Sequence, residues 1–362
     1  MHSVTFRVDG SHHLGTGHVV RCLVLAQAFQ GRNIRPVFVT KDHEPGILAL
    51  IEGYGFHVYA LPSTLTMEED ASATQRLVAD NRSTFLVTDM ANPEYTADPE
   101  RYVRYAMAML KGIPAYTISL DDLFIAELPF DLRIIPYCGV EQKPPDSQGK
   151  TKWLLGPAYF IAQESFREAA AAARFVARAA RRILVTMGGS DPYGLTAAVL
   201  KNLGRLKPRN GLEVRVVVGP GFTDMAVQEI LQCAASARNI CQILSAAPGD
   251  LAQLMIWSDL AITAGGLTKY EAAMTGTPNI VIAAFTREAE MCRFFSEAGA
   301  AYCLDRGALA QEGCLAAVVQ SLMEAYETRL RMSRCGRELV DGFGVERILA
   351  AIPSSLFSSI GG

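Results

Sequence analysis

Two stretches decide how this chain folds: residues 4–30, VTFRVDGSHHLGTGHVVRCLVLAQAFQ, and residues 183–206, ILVTMGGSDPYGLTAAVLKNLGRL. Each begins with a short apolar run, passes through a glycine-bearing turn and continues with apolar residues at helical spacing. In the first, residues 4–9 read as a buried strand ending at Asp9, and Val20, Leu23, Leu25, Ala26 and Phe29 follow the 3.6-residue period from about Gly17. In the second, strand 183–187 leads through the turn 188–191 into a helix over about 192–204. Working outward, further strands are predicted at 35–40, 56–61, 84–89, 115–120 and 132–135, then at 213–218, 240–244, 260–263, 280–284 and 301–304. Helical stretches such as 46–53 and 99–111 separate most of them. Strands alternating with helices build parallel sheets covered on both faces.

The chain has 362 residues and a mass of 39.2 kDa, enough for two domains. Residues 139–152, GVEQKPPDSQGKTK, carry no apolar period and mark a boundary. The expected organisation is a domain over 1–152 and a second over 153–362, and an alanine-rich helix over 168–182. Both are Rossmann-like, each opening with strand, glycine turn and helix. Ligands of such sheets bind beyond the carboxyl ends of the strands, so a cleft faced by both domains is the expected active site.

Composition narrows the chemistry. Half of the residues are hydrophobic and a fifth charged, a globular balance. The net charge of −3 offers no basic excess for nucleic-acid backbones. Eight cysteines show no CxxC spacing and all six histidines lie at or before His57, so no local zinc motif exists. Free thiols, the lack of a visible signal peptide and the lack of an apolar run of about 18 residues point to a cytoplasmic protein without a transmembrane segment.

Three turns carry candidate chemistry. Gly15-Thr16-Gly17-His18 departs from the dinucleotide fingerprint: Val20 stands where a third glycine belongs, and Thr40 and Lys41 stand where an acid closes the second strand. It places His18 at a helix start, where the dipole disfavours the imidazolium and keeps a neutral base available. His18 could instead cap or pack, and His12 and His13 read as exposed loop residues. Gly188, Gly189 and Ser190 bring backbone amides to an anion at the next helix start, unless Ser190 or Asp191 simply caps that helix. In Gly265-Gly266-Leu267-Thr268-Lys269-Tyr270-Glu271, the turn suits a phosphate and Glu271 a ribose diol; a capping box of Thr268 with Glu271 fits the same spacing. Asp9, Asp89 and the pair Asp121-Asp122 close apolar strands, where they could orient a water or sugar hydroxyls, although paired Asp residues are also ordinary turn formers. No metal and no cofactor is expected.

Together these motifs resemble the UDP-sugar hydrolases of pseudaminic acid biosynthesis, whose substrate is UDP-2,4-diacetamido-2,4,6-trideoxy-β-L-altropyranose. The resemblance rests on Arg7, Asp9, Gly15, Gly17, His18, Arg21, Asp89, Asp121, Asp122, Gly156 to Tyr159, Met187 to Asp191 and Gly265 to Glu271, and spans roughly residues 4–285. It implies the two-domain GT-B architecture, similar to the peptidoglycan N-acetylglucosaminyltransferase. It further implies UDP on the second domain with its ribose on Glu271, the diphosphate at the glycine turns, and Tyr159 at the domain junction. His18 would activate a water that displaces UDP with inversion and without metal. A glycosyltransferase with His18 acting on an acceptor hydroxyl is the alternative, and a silent UDP-sugar binder a third reading. Two segments depart from the pattern: Met90-Ala91-Asn92, where His and Tyr are expected, and Phe285-Thr286-Arg287-Glu288, where an Asn-Gln pair is frequent. The Gly265–Glu271 segment also looks like its counterpart in spore-coat polysaccharide proteins. Residues 340–362 could hold a closing helix that crosses back to the first domain.

Overall fold

The computed structural model describes residues 2–10, 16–42, 45–90, 98–121, 128–140, 150–206, 211–235, 240–245 and 250–358. The chain divides into two compact units, one of Met1–Ile161 with Phe343–Gly362, the other of Ala162–Gly342.

The first unit holds a seven-stranded sheet in the order β3-β2-β1-β4-β5-β6-β7. Its strands are β1 (Ser3–Val8), β2 (Arg35–Lys41), β3 (His57–Leu61), β4 (Ser83–Asp89), β5 (Tyr116–Leu120), β6 (Leu132–Ile135) and β7 (Lys152–Leu155). Every pairing is parallel. All six residues of β1 are buried, as a central strand covered on both faces requires. Phe6 stacks on Phe38 with ring centroids 4.9 Å apart, and Phe29 of the helix Gly17–Gln30 meets Phe6 edge-on. Val345, Ile348, Leu349 and Ile352 of the C-terminal segment complete this core.

The second unit holds a six-stranded sheet in the order β10-β9-β8-β11-β12-β13. Its strands are β8 (Arg182–Thr186), β9 (Glu213–Val218), β10 (Ile240–Ser245), β11 (Leu260–Ala264), β12 (Asn279–Ala283) and β13 (Tyr302–Asp305). These pairings are parallel too. In each sheet the strand order reverses once, between β1 and β4 and between β8 and β11. Such a reversal opens a crevice at the carboxyl ends of the two strands, where ligands of open α/β sheets bind.

Two expectations need correction. The expected boundary at 152/153 falls inside β7, which pairs with β6 and belongs to the first unit. The expected helix over 168–182 is instead a helix over Glu164–Ala171 followed by an extended segment. Three arginines explain this. Arg174 donates to the carbonyls of Met255, Ile256 and Ser258 at the end of the helix Asp250–Trp257. Arg329 joins the carbonyls of Leu322 and Met323 to those of Ala177 and Arg178. Arg337 caps the short helix itself through the carbonyls of Ala170 and Ala172. Satisfying these carbonyls, most of them buried or part-buried, outweighs the few tenths of a kcal/mol per residue that alanine offers a helix.

Candidate active site

The helix Gly17–Gln30 follows β1, so its first turn stands over the reversal point of the first sheet. His18 is its second residue, and Arg21 lies one turn further on the same face. Asp89 is the last residue of β4, the neighbouring strand across that point. His18 Nδ1 lies 2.7 Å from Asp89 Oδ1. Arg21 donates Nε to Asp89 Oδ2 at 2.5 Å and Nη2 to Oδ1 at 2.7 Å. Its Nη2 also lies 2.8 Å from His18 Nδ1. Asp89 Oδ1 and Asp121 Oδ2 take the two hydrogens of Arg21 Nη2, so the proton between His18 and Asp89 is assigned to Nδ1 and Nε2 keeps its lone pair. The imidazole is 19% exposed, whereas Asp89 is sealed from solvent, so the ring alone meets water.

Burial by itself would raise the Asp89 carboxyl. Arg21 and then His18 outweigh it and hold the group at about 2. Asp89 is therefore a fixed negative charge behind the ring, the arrangement that stabilises an imidazolium once His18 takes a proton.

The cluster extends to Asp121 and Tyr137. Asp121 follows β5 with a left-handed backbone (φ 51°), a strained geometry for a residue with a side chain. Its Oδ2 accepts from the Tyr137 hydroxyl at 2.5 Å and from Arg21 Nη2 at 3.2 Å. Arg21 Nη1 donates to the Tyr137 oxygen at 2.8 Å. Burial, opposed by Arg21 and aided by Asp121, pushes the Tyr137 phenol above its ordinary range, so it stays a donor. Tyr137 escaped the sequence analysis because it belongs to no motif. Its one signal was its place just beyond the carboxyl end of strand 132–135.

Asp9, expected beside His18 as a catalytic group, belongs to a separate buried network. Arg7 donates Nη1 and Nη2 to its two oxygens at 2.6 and 3.0 Å. The amide of Lys41 donates to it at 3.1 Å. Arg7 also holds Asp70 of the helix Met67–Asp80, which accepts from the Tyr105 hydroxyl at 2.9 Å. Burial would raise the Asp9 carboxyl, but Arg7 holds it low. With both oxygens engaged, Asp9 locks the ends of β1 and β2 together. Tyr159 lies in the short 3₁₀ turn Pro157–Tyr159 and packs against the core of the first unit. Gly15 and Asp122 lie outside the described residues, as do His12, His13, Ala91 and Asn92.

In the second unit both glycine turns flank the reversal point. Gly188 follows β8 with φ 88°. The Gly189 carbonyl accepts from the amide of Gly221 at 2.8 Å, and a Cβ at Gly219 would fall 2.4 Å from that carbonyl oxygen. Only glycine fits at Gly219, so the loop after β9 fixes the turn after β8. Asp191 caps the helix Leu195–Leu203, accepting from the amides of Leu195 and Thr196 at 2.9 and 2.7 Å. Gly265 and Gly266 follow β11. The buried Lys269 ammonium donates to both of their carbonyls, to Gly266 at 3.1 Å. Glu288 lies against Gly265 and accepts from the Ala284 amide at 2.8 Å. Sequence reasoning assigned no role to Lys269 or Glu288.

The capping box of Thr268 with Glu271 is not formed: Leu267 holds the N-cap position and no side chain caps the helix Thr268–Met274. Among the described residues no group donates to the Glu271 carboxylate, and burial raises it to about 7. Among the described residues, too, no group of three or more His, Cys, Asp or Glu could hold a metal ion, and no helix is long and apolar enough to cross a membrane.

No protein-family model matches the chain. It is 27% identical over 347 residues to the spore coat polysaccharide biosynthesis protein SpsG of Bacillus subtilis, covering 95% of this chain and 96% of that protein. Among solved structures it resembles MurG of Acinetobacter baumannii, with a TM-score of 0.65, 11% identity, and 97% and 99% of the two chains covered. It also resembles HepE of Anabaena in complex with UDP-glucose, with a TM-score of 0.60, 13% identity, and 97% and 100% covered. The architecture is thus GT-B: two α/β domains, each built on a parallel Rossmann-like sheet.

Proposed function

We propose that this protein hydrolyses a UDP-linked sugar, a 2,4-diacetamido-2,4,6-trideoxy hexose, for the synthesis of pseudaminic acid or a related surface polysaccharide. The observation that carries the reading is the His18–Asp89 contact at 2.7 Å, clamped by Arg21. It makes His18 Nε2 a base with a fixed counter-charge behind it. The likeness to SpsG supports a role in polysaccharide biosynthesis, and the UDP-glucose bound by HepE supports a nucleotide-sugar ligand.

In this reading the second unit holds UDP. Glu271 accepts the ribose hydroxyls, and the turns at Gly188–Ser190 and Gly265–Thr268 receive the diphosphate. Lys269 beneath the second turn adds a positive field there. His18 Nε2 takes a proton from water as the water oxygen bonds to the anomeric carbon. The bond from that carbon to the β-phosphate oxygen breaks, and its electron pair leaves with UDP. Attack opposite the leaving group inverts the centre. The imidazolium, balanced by Asp89, then returns its proton to solvent. UDP is a weakly basic leaving group, so placing and activating the water is the main catalytic task.

Turnover in H₂¹⁸O tests the reading. The label is expected in the anomeric hydroxyl of the free sugar and not in UDP, and NMR of the first-formed sugar is expected to show the inverted anomer. Label in UDP would mean attack at phosphorus. UDP release that requires an added acceptor hydroxyl would make the protein a transferase.

A further inference from the structure

Three side chains at the carboxyl edge of the second sheet have no part in the chemistry above. Tyr193 ends the turn after β8, Phe285 follows β12 and Arg306 follows β13. Both rings are large, apolar and half open to solvent, at 48% and 49% exposure. Their centroids lie 6.3 Å apart with planes tilted by 50°. The Arg306 guanidinium stands 5.6 Å from the Tyr193 centroid and makes no ion pair among the described residues.

Topology gives the cluster its meaning. β8 and β12 are the two neighbours of β11. Strands two places apart in a sheet are separated by about 9.6 Å. Rings rising from their ends and meeting at 6.3 Å therefore converge across the carboxyl end of β11, where the Gly265–Gly266 turn begins. Neither ring sits on a loose tip. Tyr193 is held between the Asp191 cap and Gly194, whose φ is 64°. Phe285 is the extended N-cap residue of the helix Thr286–Glu297.

We propose that Tyr193 and Phe285 form the wall that receives the glycosyl group of the nucleotide sugar, that Arg306 pairs with its diphosphate, and that the wall selects hexoses lacking a hydroxyl on the face turned to it. This rests on the UDP-sugar reading and adds its specificity element. The faces of the two rings offer no strong hydrogen-bond partner, and the Tyr193 phenol offers one only at its rim. A hydroxyl buried against those faces loses its water without replacement, whereas a methyl or C–H gains contact. A guanidinium beside the wall, with no ion-pair partner among the described residues, matches a diphosphate oxygen.

The full-length protein is titrated calorimetrically with UDP, UDP-N-acetylglucosamine and its 6-deoxy counterpart. Wild type is expected to bind the 6-deoxy compound on the order of tenfold more tightly than the 6-hydroxy one. Tyr193→Ser and Phe285→Ala are expected to bring that ratio to within about twofold while UDP affinity stays unchanged, which also reports an intact fold. Arg306→Gln is expected to weaken UDP itself about tenfold, the usual scale for a charge-assisted bond. A ratio that survives both aromatic substitutions, with UDP still bound, overturns the wall. A wild-type protein that binds no UDP overturns the UDP-sugar reading instead.

Discussion

The reactivity assigned to His18 is set by two residues behind it. Asp89 is buried and makes the two shortest carboxylate contacts of Arg21, so removing its charge leaves the buried guanidinium with only one carboxylate contact among the described residues, to Asp121 at 3.2 Å. Asp89→Asn is expected to slow UDP release by about 10²–10⁴, because the amide can turn its NH2 to Nδ1 and select the other tautomer, and because the counter-charge behind the ring is gone. It is also expected to lower unfolding free energy by about 3–5 kcal/mol in denaturant titrations. The wild-type pair carries a pH signature. The folded carboxyl titrates at about 2, below its ordinary 3.8. Its stabilisation is therefore present above the ordinary value and is lost as pH falls from there toward 2; the difference is worth about 2 kcal/mol. Acid unfolding of Asp89→Asn should lack this increment. Glu271 behaves in the opposite sense. Burial raises it to about 7, so in the free protein it is half protonated near neutrality. A ribose diol donating to the carboxylate favours the ionised form, so UDP affinity should rise with pH up to about 7. Calorimetry in buffers of different ionisation enthalpy should show proton release on UDP binding near that pH, and Glu271→Gln should abolish the release attributable to this group.

At the scale of elements, the glycine turns depend on neighbours that sequence order hides. Gly219→Ala would drive a Cβ into the Gly189 carbonyl and displace the turn after β8. A loss of UDP affinity on the order of tenfold or more, with the circular dichroism spectrum retained, is expected. Most strands could be read from the sequence because apolar runs ended at Asp or Gly, as at Asp9, Asp89 and Gly265. The strand Lys152–Leu155 could not, because four residues adjoining a proline-rich loop carry too little pattern. The segment after Ala171 was misread because the carbonyls that hold it extended are partners of Arg174 and Arg329, which propensity does not weigh. The same limit applied to the site. Gly17-His18 and Gly265-Gly266 were legible as turns, whereas the sharing of Arg7 by Asp9 and Asp70 exists only once the helix Met67–Asp80 lies against strand 1, and the partnership of Tyr137 with Arg21 only once strands 1, 4, 5 and 6 lie side by side.

For the molecule as a whole, chain order and structural order differ at one point. Residues Phe343–Gly362 belong with the first unit although the second precedes them. Gly344 marks where they enter, since a Cβ there would lie 2.1 Å from the Phe160 carbonyl oxygen. Truncation after Gly342 should expose the core faces left by Val345, Ile348, Leu349 and Ile352. At about 2–5 kcal/mol for each buried Leu or Ile lost, the three of them take up most of a typical domain's stability, so the first unit is expected to unfold. Residues 162–342 are continuous and should keep their own transition, so limited proteolysis should degrade the first unit before the second. The central claim is that a base in the first unit drives water onto a sugar whose UDP the second unit holds. Its most direct test is UDP release from UDP-2,4-diacetamido-2,4,6-trideoxy-β-L-altropyranose in water alone, with wild type beside His18→Ala. The account predicts release by wild type, a fall of about 10²–10⁴ in the variant, and unchanged UDP binding by both. Equal release by the two proteins, or no release by a wild-type protein that binds UDP, would contradict it.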